Sequence, residues 1–253
     1  MKKTKGFSIV ELMVAITVGL LILVGVIQIF VLNRGNFRLQ NGYAVMQESA
    51  QYLNDYMGRY LRLAGYRSTP VNNAGYLALN NLFTTENPYI TGTTGTGVNG
   101  SDTLTVRYQG SGTGTGAPDG TVVDCFNVGV DSGQTTTLTF SISGNLTLQC
   151  QTPNATADIL PNVENMHVLY GEDTDADGIP NRFVPSAYVG INWQNIVAVR
   201  ISLLFISNNG DSPTVNANSY NLLGTLYGPV NDYKLRLQTT TTIQLRNRLA
   251  GSS

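Results

Sequence analysis

The stretch FSIVELMVAITVGLLILVGVIQIFVL, residues 7–32, constrains this chain more than any other, because only Glu11 and Gln28 within it are strongly polar. As a helix rising about 1.5 Å per residue, its roughly 26 residues cover about 39 Å, enough to cross the hydrocarbon core of a bilayer. Lys2, Lys3 and Lys5 precede it and no acid does. Basic flanks stay cytoplasmic, so the amino end is expected inside and the remainder of the chain outside. A secretory signal has a shorter apolar part and a small-residue cleavage site, whereas this run ends in Val31-Leu32-Asn33-Arg34.

Glu11 is the anomaly in this run. An ionised side chain inside a spanning helix costs roughly 2.5–3.5 kcal/mol on insertion scales, and residues of this kind usually have a partner and a function. An amine can supply the partner. If the leader, residues 1–6, were removed between Gly6 and Phe7, the new α-amino group would lie about 6 Å along the helix from Glu11, or beside the glutamate of a staggered neighbouring helix.

The basic leader, Gly6, Phe7 and then FSIVELMVAITVGLLILVGV with Glu11 resemble the class III signal of type IV prepilins. Further segments, NFRLQNGYAVMQESAQYLNDYMGRYLRLAGY, YGEDTDADGIPNRFV, VAVRISLLF and TTTIQLRNR, resemble the PilW family of minor pilins. The resemblance implies that prepilin peptidase cuts after Gly6, that Phe7 is then N-methylated, and that Glu11 meets the terminal amine of an adjacent subunit during assembly. It also implies a type IV pilin-like fold, with other minor pilins, the major pilin and a pilus-tip adhesin as partners. The chain would be a single-pass inner-membrane protein with a periplasmic head, later transferred to the fibre and its tip.

The rest of the chain reads as a globular head. Apolar residues make up 42% and charged residues 12%, and loss of the three leader lysines would bring the net charge from -1 to about -4. Arginines are scattered and no aromatic-laced basic patch exists, which argues against nucleic acid. Tyr43, Met46, Ala50, Leu53, Met57, Tyr60 and Ala64 recur at steps of 3 and 4, a seam that a helix must bury. Gly35 and Gly42 each lower helix propensity by about 1 kcal/mol, so a weak junction is expected between them. Gly65 stands where a C-terminal cap belongs and Pro70 follows. One helix of about 55 residues is therefore expected from Phe7 to Ala64. Its membrane half is residues 7–32 and its periplasmic half residues 33–65, before a β-rich head at residues 66–253.

Period-two alternation marks the strands Leu104-Val106-Tyr108, Leu138-Phe140-Ile142, Leu146-Leu148-Cys150 and Val197-Val199-Ile201-Leu203-Phe205. Leu235-Leu237 with Ile243-Leu245 read as a closing ribbon or edge, and Ser143-Gly144-Asn145 as a tight hairpin turn. The tracts TGTTGTGVNG and GSGTGTGAPDG bury little and are expected as mobile surface loops. The fold class is α+β, a long helix with a membrane-spanning first half laid on an antiparallel sheet.

Cys125 and Cys150 are the only cysteines, and outside the cytoplasm an even pair reads as one structural disulfide. A single histidine, His167, sits in an alternating apolar stretch and is expected to be a packed or edge residue rather than a ligand. No Ser/His/Asp grouping has support, so the chain is expected not to be an enzyme. The one chemical constellation is GEDTDADGIPNR. Asp173, Asp175 and Asp177 alternate, Gly178 permits a sharp turn, and the Ile179 carbonyl and Asn181 follow in the order of calcium-loop ligands. The twelfth position is Val184 rather than glutamate, so Ca²⁺ would need water or a remote acid such as Glu164; the alternative is a solvated acidic turn. For the whole chain, a pilus subunit that primes or caps the fibre for adhesion and twitching stands against a minor pseudopilin of type II secretion or a tethered adhesin.

Overall fold

Ser8 opens the long helix, its Oγ accepting a hydrogen bond from the Val10 N–H. The helix α1 then runs without interruption over Ile9–Leu63, 55 residues. The computed structural model describes residues 6, 8–68, 83–188, 190–208 and 210–247. Met1–Lys5 and Phe7 lie outside the described residues, as does Pro70.

The expected weak junction between Gly35 and Gly42 is not a break. Once nucleated, a helix gains a hydrogen bond for each residue added, and two isolated glycines do not outweigh that gain. Gly42 has a separate reason to be small: a methyl group there would stand 2.9 Å from Leu235 Cδ1 and 3.7 Å from Asp211 Oδ2. It is the first buried position of α1, followed by Met46, Ala50, Leu53, Met57, Tyr60 and Leu61. The stop is as expected. Gly65 takes φ +74°, where a side chain would run into the Asn247 carbonyl, and its N–H donates to the Arg107 carbonyl at 3.0 Å.

A five-stranded antiparallel meander follows, β1 (Ile90–Thr93), β2 (Thr103–Gln109), β3 (Thr135–Ile142), β4 (Thr147–Gln151) and β5 (Thr156–Pro161), in that order. A second antiparallel sheet has the order β11-β8-β6-β7, from β6 (Val163–Glu172), β7 (Arg182–Val184), β8 (Ile196–Ile206) and β11 (Arg236–Gln244). A small ribbon, β9 (Tyr220–Leu222) and β10 (Thr225–Tyr227), hangs between β8 and β11. The head-packed half of α1 lies on β11, β8 and β2, and β6 packs against the first sheet. Leu53, Leu61, Leu104, Leu138, Phe140, Met166 and Phe205 fill one shared core.

One strand reading shifts and another is narrowed. Leu146 belongs to the turn, not to β4, and takes φ +55° beside Gly144 and Asn145. Of the two readings of residues 235–245, a ribbon or an edge, the edge holds: the threonines between the two apolar pairs continue one edge strand, paired residue for residue with β8 from Arg236↔Ile206 to Gln244↔Ala198. Threonine is β-branched and suits a pleated surface, so the tract extends the strand.

The glycine-rich tracts are also more ordered than their composition implies. Thr91–Thr93 belong to β1, and the loop of residues 110–120 is pinned by buried Asp131. Its carboxylate accepts the Gly116 N–H at 2.9 Å and the Gly114 N–H at 3.0 Å. The Gly116 hydrogen bond, with those of the neighbouring amides, holds the Asp131 carboxyl below the usual carboxylate range.

Asp102 joins the two sheets. Its N–H donates to the Met166 carbonyl at 2.8 Å, and its Oδ2 accepts the Val168 N–H at 2.7 Å, completing the edge of β6 with a side chain. His167 packs there as expected, its Nδ1 3.3 Å from Asp102 Oδ1. The Cys125–Cys150 disulfide forms as read from the sequence and ties the loop ahead of β3 to β4, one residue before its end. Tyr60 Oη donates to the Asp124 carbonyl at 3.0 Å and Tyr108 Oη to the Val123 carbonyl at 2.8 Å, so the same loop is also fixed to α1 and β2.

Buried Glu164 and Arg236 form an ion network with half-buried Asp232. Arg236 donates to Glu164 through Nε at 2.6 Å and Nη2 at 2.8 Å, and to Asp232 through Nη1 at 2.7 Å. Burial alone would lower the Arg236 guanidinium, but its hydrogen bonds to Asp232 and Glu164 hold it above the ordinary range. Replacing Arg236 with Met strands two acids beside an apolar side chain and is expected to cost about 3–5 kcal/mol, read as a fall in urea midpoint of the detergent-solubilised protein. The double change Cys125→Ser and Cys150→Ser is expected to cost about 3 kcal/mol by freeing a 25-residue loop in the unfolded chain, measured by the same denaturation with and without reductant.

Candidate functional site

Two sites of chemistry emerge, one on the bare part of α1 and one on the loop between β6 and β7. On the helix, Gly6 is exposed, and Glu11 falls in the first turn of α1. None of the residues from Ser8 to Asn41 is buried, and the helix is long and apolar enough to cross a membrane. The next basic side chain toward the C-terminus is Arg34, 23 positions on and about 35 Å along the axis. Nothing on α1 within reach of Glu11 in that direction neutralises it. The Phe7 amine lies outside the described residues.

The acidic loop leaves β6 at Glu172 and returns at Arg182 in β7, the two being paired in register. This closure escaped the sequence reading. Glu172 is buried and accepts from Arg182 Nε at 2.9 Å and from the Asn192 N–H at 3.1 Å, while the Arg182 guanidinium sits 4.8 Å over the Tyr188 ring. Opposite charges at the two ends of the loop, with Gly171 allowing Pro180 and Phe183 to approach, were the available signal.

Within the loop, Asp173, Asp175 and Asp177 present carboxylate oxygens all within 4.8 Å of one another. Asp173 is buried and accepts the Ala176 and Gly178 N–H groups, each at 2.7 Å. Burial opposes ionisation of Asp173, but the Gly178 and Ala176 amides outweigh it and hold the carboxyl below the usual range. Ala176 and Gly178 take positive φ, 64° and 91°, which curls the chain around the Asp173 carboxylate.

The other expected ligands are placed differently. Asn181 turns Oδ1 toward Thr174, accepting its N–H at 2.6 Å, and donates from Nδ2 to Asp175 at 3.2 Å. Ile179 is exposed, and its N–H donates to Asp177 Oδ1 at 2.7 Å. Glu164 is not available to this loop. It sits at the opposite end of β6, eight residues and about 26 Å away, and is held by Arg236. The structure thus gathers three of the expected oxygen donors and draws Asn181 to a neighbour.

Two family models match the chain: the prokaryotic N-terminal methylation motif at residues 1–27, and Type IV Pilus-assembly protein W (PilW) at residues 125–247. Together they cover more than half of the 253 residues and include Glu11, both cysteines and the acidic loop. No curated protein matches the sequence. Among solved structures, the chain is similar to the type IV-like pilin TTHA1219 from Thermus thermophilus, with 15% identity, a TM-score of 0.47, and coverage of 80% of this chain and 96% of that one. The methylation motif leads directly into the bare helix, and the PilW model, at 123 residues just under half of the chain, covers the sheet on which that helix packs; the two matches together support a type IV pilus minor pilin of the PilW kind.

Proposed function

We propose that the chain primes or caps the assembly of a type IV pilus, supporting fibre biogenesis, adhesion and twitching motility. The observation that carries this reading is the bare part of α1, from Ile9 to Asn41, which is apolar along its membrane half and has no residue buried by its own head. An exposed apolar face of this size needs lipid or other helices around it. In this reading the protein waits in the inner membrane with its amino end cytoplasmic and its head periplasmic. Prepilin peptidase removes residues 1–6, and the helix then leaves the bilayer to pack with those of other minor pilins and the major pilin, placing the head at or near the tip beside an adhesin.

Glu11 is the residue that orders recruitment. Its carboxylate costs little in the packed fibre if the methylated amine of Phe7, its own or a neighbour's, sits beside it. Leaving the bilayer for that pair removes the insertion penalty of about 2.5–3.5 kcal/mol. Glu11→Val is expected to leave membrane insertion and leader removal intact while lowering incorporation into sheared fibres at least tenfold, as read by immunoblot. Incorporation at the wild-type level contradicts the pairing. Release of exported proteins and the number of surface fibres, measured in a deletion strain, separate a pilus subunit from a secretion pseudopilin.

The acidic loop is proposed as a Ca²⁺ site. The donor set fits a hard cation, because three carboxylates already converge on one point. Asp173, Asp175 and Asp177 would hold the ion, with Asn181 and the Ile179 carbonyl as the remaining protein oxygens. A bound cation would supply charge neutralisation and stiffen the turn that Glu172 and Arg182 close. Calorimetric titration of the purified protein with Ca²⁺ is expected to give saturable heat and a raised melting temperature, both lost in Asp175→Ala. No heat in the unaltered protein sinks the site.

A further inference from the structure

We propose that the ribbon between β8 and β11 is a preformed docking surface for the head of an adjacent pilin subunit, met at its base beside Gly42. This rests on the assembly reading above and names one of its contacts.

Antiparallel neighbours such as β8 and β11 are commonly joined by two to five residues. Here the connection from Ser207 to Leu235 takes 29. It folds back on itself as a twisted ribbon, with Leu222↔Thr225, Asn221↔Leu226 and Tyr220↔Tyr227 paired in β9 and β10, and an isolated bridge Asn216↔Asp232 nearer its base. One side is turned inward: Leu222 is fully buried, Asn216 donates to the Lys234 carbonyl at 3.0 Å, and Asp232 is held by Arg236. The register puts Leu226 on the opposite face of the ribbon from Leu222, and Val215 and Tyr233 flank the bridge nearer its base; the three are 70%, 46% and 50% exposed.

The ribbon is rigidly fixed at its base. Arg236 ties Asp232 to Glu164 of β6, and Gln238 Nε2 donates to the Asn221 carbonyl at 2.7 Å, so the ribbon lies along β11. Apolar side chains on a fixed support lose little freedom when they dock, which favours a binding role over a loose covering loop.

Position decides the occupant. Asp211 and Leu235, at the two feet of the ribbon, are the groups that meet α1 at Gly42, where the head begins. Val215 and Tyr233, one pair out from the Asn216–Asp232 bridge, therefore lie close to this lower rim. Beneath the rim, Ile9–Asn41 has no buried residue over 33 positions, about 50 Å. Subunits whose helices sheathe that stem must place their own heads under the rim. A membrane surface fits less well: Lys234 is the one basic residue among positions 212–234, and anionic lipid is recruited by clusters of lysine and arginine.

The test uses the full-length chain in cells that assemble the fibre. A photoreactive phenylalanine analogue is incorporated at Tyr233 and, in a second strain, at Asn145 in the β3–β4 turn of the other sheet. After irradiation, the Tyr233 position is expected to give an adduct in sheared fibres whose partner peptides belong to a chain with an N-terminal methylation motif, at least tenfold above the Asn145 position. Val215→Asp is expected to lower that adduct at least fivefold. No adduct from a chain that is present in the fibres, an adduct to lipid or to a protein lacking the motif, or equal yields from the two positions overturns the docking surface and leaves the assembly reading intact. Absence of the unaltered chain from the fibres overturns both.

Discussion

One helix serves two environments, and the rest of the molecule is arranged around the point where it passes from one to the other. Up to Asn41, α1 has no buried residue; from Gly42 onward, one stripe of it is core. A helix that is apolar all round requires lipid or a bundle, whereas one that is apolar on one side requires a single packing surface. Both demands fall on the same 55 residues, so the head must hold α1 by its second half alone. The grip uses backbone as well as side chains. Asn247 Nδ2 donates to the Arg62 carbonyl at 2.7 Å, Thr241 Oγ1 to Asn54 at 2.9 Å, and Gly65 passes the chain directly to Arg107 of β2. The second half of α1 is thereby tied to β2, to the last strand and to the residues that follow it.

The same logic explains the placement of the strong polar links. Each ties elements that a sheet ladder does not join: Asp102 closes the first sheet onto β6, Arg236 fastens the ribbon to β6, and Cys125–Cys150 with Tyr60 and Tyr108 binds the pre-β3 loop to three separate elements. Buried ion pairs contribute little net stability compared with apolar packing of the same volume, but they penalise wrong arrangements heavily. In Arg236 the penalty falls on any arrangement that moves the ribbon away from β6. That is the property a presented surface needs.

Local signals carried much of this in the sequence. The helix, its stop at Gly65, the alternating strands, the Ser143–Asn145 turn and the disulfide follow from periodicity, turn chemistry and cysteine count, which depend on neighbours along the chain. What escaped depends on neighbours in space. Gly42 looked like a weak point in a helix because propensity is counted residue by residue, whereas its role is set by Leu235, 193 positions away. Glu164 looked free to serve the acidic loop because sequence distance hides the length of β6; its true partner, Arg236, is 72 residues on. The loop of residues 110–120 looked mobile because composition records no buried acceptor such as Asp131.

The acidic loop shows where legibility ends for a site rather than a fold. Alternating aspartates bring three carboxylate oxygens within 4.8 Å of one another, since residues two apart in a curled turn can lie on one side. The pattern could not foresee that Asn181 would satisfy Thr174, or that Asp173 would already hold two amides. These internal bonds stabilise the turn without an ion and set a cost on binding one. A cation must be attractive enough to pull the Asn181 oxygen from two donors, the Thr174 N–H and hydroxyl, each a neutral hydrogen bond of about 1 kcal/mol net. Three carboxylates converging on one point repel one another, and that repulsion supplies the opposing force. For the proposed Ca²⁺ site, attraction to three anions doubles with the ion's charge, but the cost of stripping the ion's water rises faster still, so the site depends on how many oxygens besides the three carboxylates replace that water, and the Asn181 oxygen is one that must first be released.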